Sequence, residues 1–350
     1  MFKFFSQLFG DPTQSASPPT PSSEQPVAIP AALVEAPGVA PLDVPAHMPE
    51  VDGFPLPDWD AIMQWIDSIP SESEQASAWA RCELAWLQRL QSTLGPGYVV
   101  RTADDVALLS SLDDSAARAT LAQVSRSRQR VMHTLKGIAE LPGWGFDILV
   151  VLNDEDTYYH YVSSQFPDEG EFAFSSGMYL NGGCGHFVLV KGELLAMEPT
   201  IVHELTHSCL SHLPIPLWLN EGLAVNTEQR FYPRTIGSHR GGYDAQGQHR
   251  RHQAFWGVPE IQAFWSGDSY ARTDEGNALS YDLGRILTTQ FAADWTRFTA
   301  FAHAATWEDG GAQAAREHLG LSLGHAVCAV LELPYDEAYE PDAKLWRSDS

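Results

Sequence analysis

Val-His-Glu-Leu-Thr-His, residues 202–207, carries the most chemical information in this sequence. On an α-helix, residues four apart lie on the same face, so the imidazoles of His203 and His207 can point at one metal ion. Glu204 lies beside them and faces the same cleft. The HExxH pattern therefore predicts a zinc site with a carboxylate available as a general base.

The residues around this motif predict a helix in an α+β context. Glu198-Pro199 is expected to open the helix, because proline is tolerated at the first helical position, and Pro214 must lie beyond its end. Upstream, β-branched apolar runs predict two buried strands, and a glycine-rich passage separates them. The expected elements are a strand at 146–152, a helix at 158–165, the glycine-rich passage at 177–185 and a strand at 186–190.

A catalytic zinc needs a third protein ligand and an open position for water. The metzincin arrangement requires Gly three residues after the second His and another His three residues further on. These positions are Leu210 and Leu213, so that class is excluded. His212 lies five residues after His207, about 140° round the helix, and we expect it to point away from the metal.

Pro-Leu-Trp-Leu-Asn-Glu-Gly-Leu-Ala, residues 216–224, predicts a second helix with Glu221 in its first turn. An acidic residue favours a helix N-terminus by electrostatics alone, so this position by itself assigns no function to Glu221. HELTH, a short proline-bearing connection and then WLNEGLA resemble the gluzincin metallopeptidases, most of all the bacterial peptidase MA-like families. The resemblance covers about residues 146–331, and only these two motifs are diagnostic.

The resemblance implies that Glu221 is the third ligand of one Zn²⁺ ion. It implies a metallopeptidase in which Glu204 is the general base for a zinc-activated water, with a peptide or protein as substrate. The substrate is expected to bind in extended form along an edge strand, for which residues 186–190 are the candidate.

Residues 278–287, Ala-Leu-Ser-Tyr-Asp-Leu-Gly-Arg-Ile-Leu, are similar to a helix of the same families that carries a Tyr-x-x-Gly element. In aminopeptidase-N-like enzymes, the corresponding tyrosine hydrogen-bonds the developing oxyanion. The resemblance thus implies this catalytic role for Tyr281. A tyrosine of the hydrophobic core is an equal alternative.

Two other functions share the same motif. One is a catalytically inactive zincin-fold protein that binds or scaffolds partners through its proline-rich segment. The intact Glu204 argues against it, because zinc retention does not need that carboxylate. The other is a zinc amidohydrolase that acts on a non-peptide amide, for which the metal site would be the same and only the pocket would differ.

The predicted fold class is α+β, with a zincin-like domain that contains a small mixed sheet, the HExxH helix and a helical C-terminal half. A proline-rich segment without hydrophobic periodicity predicts disorder at the N-terminus, and apolar residues at helical spacing predict a helical region after it. The expected divisions are a disordered segment rich in Pro, Ser and Ala at 1–50, a helical region at 51–141, the zincin-like domain at 142–335 and a tail at 336–350.

The charge balance limits the possible partners. The 45 acidic and 21 basic residues give a formal net charge of -24, which disfavours nucleic acid. No apolar stretch is long enough to cross a bilayer, although Phe2, Phe5 and Phe9 permit peripheral membrane contact through residues 1–10. The start makes a poor signal peptide, which predicts a cytoplasmic location. The four cysteines form no CxxC pair and are expected to be buried thiols.

Two further features have no assigned role at this stage. Residues 230–252 hold five arginines and three histidines against one acid, which indicates either a cover for the cleft or a solvated insertion. The zinc-binding histidines need hydrogen-bond acceptors for their second ring nitrogens, and Asn226 and Glu228 are the nearest candidates.

Overall fold

The computed structural model describes residues 25–26, 33–141, 143–165, 177–233 and 244–346. It is an α+β protein with helices on both faces of a six-stranded mixed sheet. The strands are β1 Gln25–Pro26, β2 Leu33–Val34, β3 Leu42–Asp43, β4 Glu50–Val51, β5 Phe54–Pro55, β6 Val99–Ala103, β7 Val106–Ser110, β8 Asp147–Leu152, β9 Gly177–Asn181 and β10 Gly185–Val190. The helices are α1 Trp59–Asp67, α2 Glu72–Leu94, α3 Asp114–Thr134, α4 Glu155–Gln165, α5 Leu194–Leu210, α6 Leu217–Phe231, α7 Ala245–Phe255, α8 Val258–Ser266, α9 Glu275–Phe291, α10 Trp295–Ala304, α11 Ala312–Ala314 and α12 Leu323–Leu331.

The main sheet has the strand order β1-β6-β7-β8-β10-β9. Strands β7 and β10 flank β8 in parallel, and the other pairs are antiparallel. Every residue of β8 is buried, as expected for a parallel strand covered on both faces. Alternate residues of β8 therefore enter two hydrophobic cores, one shared with α3 and α5 and the other shared with α2 and α4.

The predicted edge strand is wrong, because residues 186–190 lie inside the sheet. Strand β10 pairs with β8 on one side and with β9 on the other. The edge on this side is β9, which falls in the passage predicted as a glycine-rich loop. The physical reason is the composition of β10: its side chains from His186 to Leu189 are buried, which suits an interior strand.

The predicted start of the motif helix is also wrong. Helix α5 begins at Leu194, and Pro199 lies inside it. A proline at this position removes only the hydrogen bond to the carbonyl of the residue four positions earlier, which is Leu195. Leu195 is 80% exposed, so water can reach this part of the helix.

The predicted domain divisions need two corrections. Strands β6 and β7 lie within the segment predicted to be helical, and they extend the same sheet as β8, so the boundary at 142 does not separate two layers of structure. Part of the segment predicted as disordered is folded, since Val34, Leu42 and Val44 are buried against α2 and its neighbours. Residues 1–24 and 27–32 lie outside the described residues.

The C-terminal segment predicted as a tail packs against α8. The side chain of Gln262 donates hydrogen bonds to the carbonyls of Ala338 and Glu340, and Trp265 donates to the carbonyl of Tyr339. The four cysteines are free and buried, as predicted. Within the described ranges, no helix combines the length and the apolar character needed to cross a membrane.

Candidate metal centre

Helices α5 and α6 bring together the three predicted metal ligands. The Oε2 atom of Glu221 lies 3.1 Å from Nε2 of His203 and 3.5 Å from Nε2 of His207. Metal–ligand distances of about 2.0–2.1 Å and tetrahedral angles place two zinc ligand atoms about 3.3 Å apart. The donor types and both distances therefore fit a zinc ion. All three ligand atoms lie within 4.8 Å of one another.

The second ring nitrogen of each histidine has its own acceptor. Nδ1 of His207 lies 3.0 Å from Oδ1 of Asn220, and Nδ1 of His203 lies 3.3 Å from a carboxylate oxygen of Glu228. When Nδ1–H donates to these acceptors, a neutral imidazole carries its lone pair on Nε2, directed at the common point, which is the tautomer that a metal needs. Both imidazoles are thus oriented for metal binding.

Sequence reasoning identified only one of these two acceptors. Glu228 was one of the two candidates, whereas Asn226 instead donates to the carbonyl of Arg285 and to Thr288. Asn220 was missed, although it directly precedes Glu221 in the WLNEG motif.

The residues of the WLNEG motif contribute to this site in different ways. Trp218 and Leu219 are fully buried and fix α6 in the core, where the indole N–H of Trp218 donates to the carbonyl of Gly310. Asn220 and Glu221 face α5. Because the motif lies at the start of α6, a single helical turn supplies the anchor, the histidine acceptor and the ligand.

Gly222 sets the distance between α6 and α9. A Cβ atom at Gly222 would lie 2.5 Å from the carbonyl oxygen of Gly284, and one at Gly284 would lie 2.8 Å from the carbonyl oxygen of Trp218. The two glycines therefore face each other where the helix backbones approach most closely. This approach brings Tyr281, which precedes Gly284 by one helical turn, towards the metal ligands.

Charge interactions between the side chains of the site are strong. Burial works to lower the pKa of His203, but hydrogen bonds with Glu221 and Glu228 raise it well above its usual value. Burial works to raise the pKa of Glu221, and the two histidines lower it far below its usual value. Glu221 is therefore an anion at neutral pH, which suits a ligand for a divalent cation.

Glu204 lies on the same helix face, close to the edge of the sheet. It is 5% exposed, and burial is the main cause that raises its pKa. The backbone N–H of Tyr179 in β9 donates to its carboxylate, which partly opposes this effect. The predicted general base thus lies between the metal ligands and the edge strand.

Tyr281 is at the site. Its ring centroid lies 6.4 Å from that of His203, and its ring packs edge-on against Tyr270 at 5.0 Å. The nearby carboxylate of Glu221 is the largest cause that raises the pKa of Tyr281 well above its usual value, so the phenol stays protonated and able to donate.

Two other predicted features lie outside the ligand set. His212 points away from the metal, as predicted, towards Glu140 at 3.8 Å. The basic segment 230–252 is described only in part, and residues 234–243 lie outside the described residues. Its second half forms α7, where Arg251 pairs with Glu275, so this half is neither a free loop nor a solvated insertion.

Comparisons with known protein families, with curated proteins and with solved structures found no match to this chain.

Proposed function

We propose that this protein is a gluzincin-type zinc metallopeptidase and that its domain has a zincin-like fold. The observation that carries the proposal is the convergence of His203, His207 and Glu221 at tetrahedral ligand spacing, with Glu204 beside them. The ligand side chains are 10–13% exposed, so the site is accessible from outside. A purely structural zinc site is normally closed by four protein ligands, whereas three are found here among the residues that the structure describes.

Zinc held by two imidazoles and one carboxylate supplies a Lewis acid that lowers the pKa of water to about 7. Glu204 accepts the proton of the attacking water and delivers it to the leaving amine nitrogen. The burial that raises its pKa favours this exchange, because it makes the carboxylate a better proton acceptor. Tyr281 donates a hydrogen bond to the oxygen that becomes negative in the transition state.

The position of β9 at the edge of the main sheet supports a peptide as the substrate. An extended peptide can add to an exposed sheet edge through backbone hydrogen bonds. The N–H of Tyr179 already contacts Glu204, so a peptide along β9 would place its carbonyls close to the general base. If the protein were a catalytically inactive scaffold with the same fold, Glu204 would have no role. The four buried free thiols suit a reducing compartment, so we propose a cytoplasmic location.

Zinc content and hydrolysis of a broad peptide library test the proposal, with wild type, Glu204→Gln and Glu221→Ala compared. We expect wild type to hold one zinc and to cleave peptides. Glu204→Gln should keep zinc and lose nearly all activity, and Glu221→Ala should bind zinc far more weakly. If wild type binds zinc but cleaves no peptide, a peptidase is refuted; hydrolysis of small acyl amides by the same sample would then favour the amidohydrolase.

A further inference from the structure

A cavity of about 320 Å³ opens at the end of the sheet where β8 and β10 begin. Its walls include the aromatic rings of Trp79, Trp144 and Phe146, and Glu83 contributes to its lining. Among the described residues that line it, none is Lys or Arg. The cavity therefore combines a carboxyl group with aromatic faces, which is the chemistry that recognises an organic cation.

Glu83 is buried without a cationic partner in the described part of the chain. It is 2% exposed, and it accepts hydrogen bonds from the indole N–H of Trp79 at 2.7 Å and from the backbone N–H of Phe146 at 3.0 Å. The thiol of Cys184 lies 3.6 Å from it. All three donors are neutral, so the negative charge of an ionised Glu83 is not balanced.

The pKa of Glu83 is consistent with a binding position for a cation beside its carboxyl group. Burial and, to a smaller extent, the nearby Asp147 raise its pKa to about 8, although its three hydrogen-bond donors lower it. An ammonium or guanidinium group in the cavity would favour the ionised form and remove this penalty. The acidic charge of the whole chain, -24, attracts such a group as well.

The cavity adjoins the candidate metal centre. Ser208 and Ser211 line it: Ser208 lies on the same face of α5 as Glu204, about 6 Å further along the helix, and Ser211 is the residue that directly follows its last residue. Tyr179 also lines it, with its backbone N–H on Glu204 and its hydroxyl hydrogen-bonded to both serines. The nearer end of this lining, at Ser208, is therefore one helical turn from Glu204.

We propose that this cavity is a specificity subsite for a basic side chain of the substrate, whose ammonium or guanidinium group binds Glu83 between the aromatic rings. The proposal that this group belongs to a peptide rests on the proposed function. The cation site itself does not, because it is defined by Glu83 and its aromatic walls alone.

Calorimetric titration of the full-length protein with n-butylammonium and n-butylguanidinium tests the cation site directly. A pH of about 8.5 lies above the pKa of Glu83 and below that of an alkylammonium. We expect wild type to bind both cations more tightly than n-butanol, and Glu83→Gln to weaken cation binding at least about tenfold. Glu72→Gln, an exposed change of the same charge in α2, is the matched control and should bind like wild type.

A second variant keeps the test decisive if Glu83→Gln does not fold. Trp144 is partly exposed on the cavity wall, and Trp144→Ala should weaken cation binding by at least about threefold. Equal cation affinity in wild type and in the folded variants, or no preference of wild type for cations over n-butanol, would overturn the inference.

Peptide cleavage then tests whether the cation site binds a side chain of the substrate. In a library that compares Lys and Arg with norleucine at each position, wild type should prefer the basic residues at one position near the cleaved bond. Glu83→Gln should lower this preference at least about tenfold. Peptide cleavage without any such preference would overturn the subsite while leaving the proposed function standing. Cation binding that depends on Glu83, without cleavage of any peptide, would refute the proposed function while supporting the cation site.

Discussion

Replacement of Glu83 by glutamine should change how the stability of this protein depends on pH. Glutamine keeps the size of the side chain and its carbonyl acceptor, and it removes the ionisable group. The carboxyl is almost fully buried, and its pKa rises from the usual 4.5 to about 8 mainly because of burial. Between these values the folded protein holds a proton that the unfolded chain has released. Stability is therefore fully present below pH 4.5 and is lost as pH rises through about 8.

The size of this loss follows from the two pKa values. At 1.36 kcal/mol per pKa unit, complete ionisation of Glu83 costs about 5 kcal/mol of unfolding free energy. Between pH 5 and pH 7.5, where the folded and the unfolded protein can both be measured, the unfolding free energy is expected to fall by about 3 kcal/mol. Solvent screens this charge little, because the side chain of Glu83 is only 2% exposed.

Urea unfolding of metal-free wild type and of Glu83→Gln at several pH values between 5 and 7.5 measures this effect. The difference between the two proteins cancels the titration of the groups that do not interact with Glu83, including the metal ligands. We expect the unfolding free energy of wild type, relative to the variant, to fall by about 3 kcal/mol over this range. A difference that stays constant with pH would refute the reasoning, because it would mean that folding does not change the pKa of Glu83.

Three further changes test the metal centre and its support. Asn220→Ala removes the acceptor of a ligand histidine and should weaken zinc binding about 10–100-fold in a competition titration with a chelator, whereas Asn226→Ala should change it little. Tyr281→Phe should lower kcat about 10²–10³-fold at unchanged zinc content, and a smaller loss would indicate a tyrosine of the core. Gly222→Ala forces a methyl group against the backbone of α9 and should cost about 1–3 kcal/mol of unfolding free energy together with part of the zinc affinity. Gly97→Ala, where a Cβ meets no atom within 4 Å, is the control.

The convergence of His203, His207 and Glu221 was predictable because its information is local. His203 and His207 are one helical turn apart, and Glu221 follows after a short connection that leaves little conformational choice. The strand at 147–152 was predictable for a similar reason, since its unbroken apolar run has one stable environment, between two covered faces.

The sequence contains a local signal for the hairpin of β6 and β7, although the whole segment was predicted to be helical. Two β-rich runs flank Asp104-Asp105, and Asp104 adopts a positive φ of 50° in the two-residue turn. Aspartate is among the few residues that tolerate this conformation. The helical spacing on either side was real, but it belonged to α2 and α3.

The edge strand and the cavity could not be predicted, because both depend on contacts between distant parts of the chain. The run Gly-Met-Tyr-Leu-Asn of β9 is short and leads into Gly182-Gly183, so it carries no strong strand pattern, and only its pairing with β10 makes it a strand. Glu83 reads in the sequence as one more acidic residue of a helix. Its burial arises from the loop that includes Phe146 and from the turn that includes Cys184, 63 and 101 residues further along the chain.

Helix α5 contributes to the cavity as well as to the candidate metal centre. One face of this helix carries Glu204, the proposed general base, and Ser208, with Ser211 just beyond its last residue, and Tyr179 of the edge strand contacts all three. A peptide added along β9 would therefore meet the general base and the mouth of the cavity on the same helix face. Since α2 supplies Glu83, the selectivity of the site depends on the segment before the motif. A fragment that begins at residue 142 would keep the metal ligands and lose this carboxyl group.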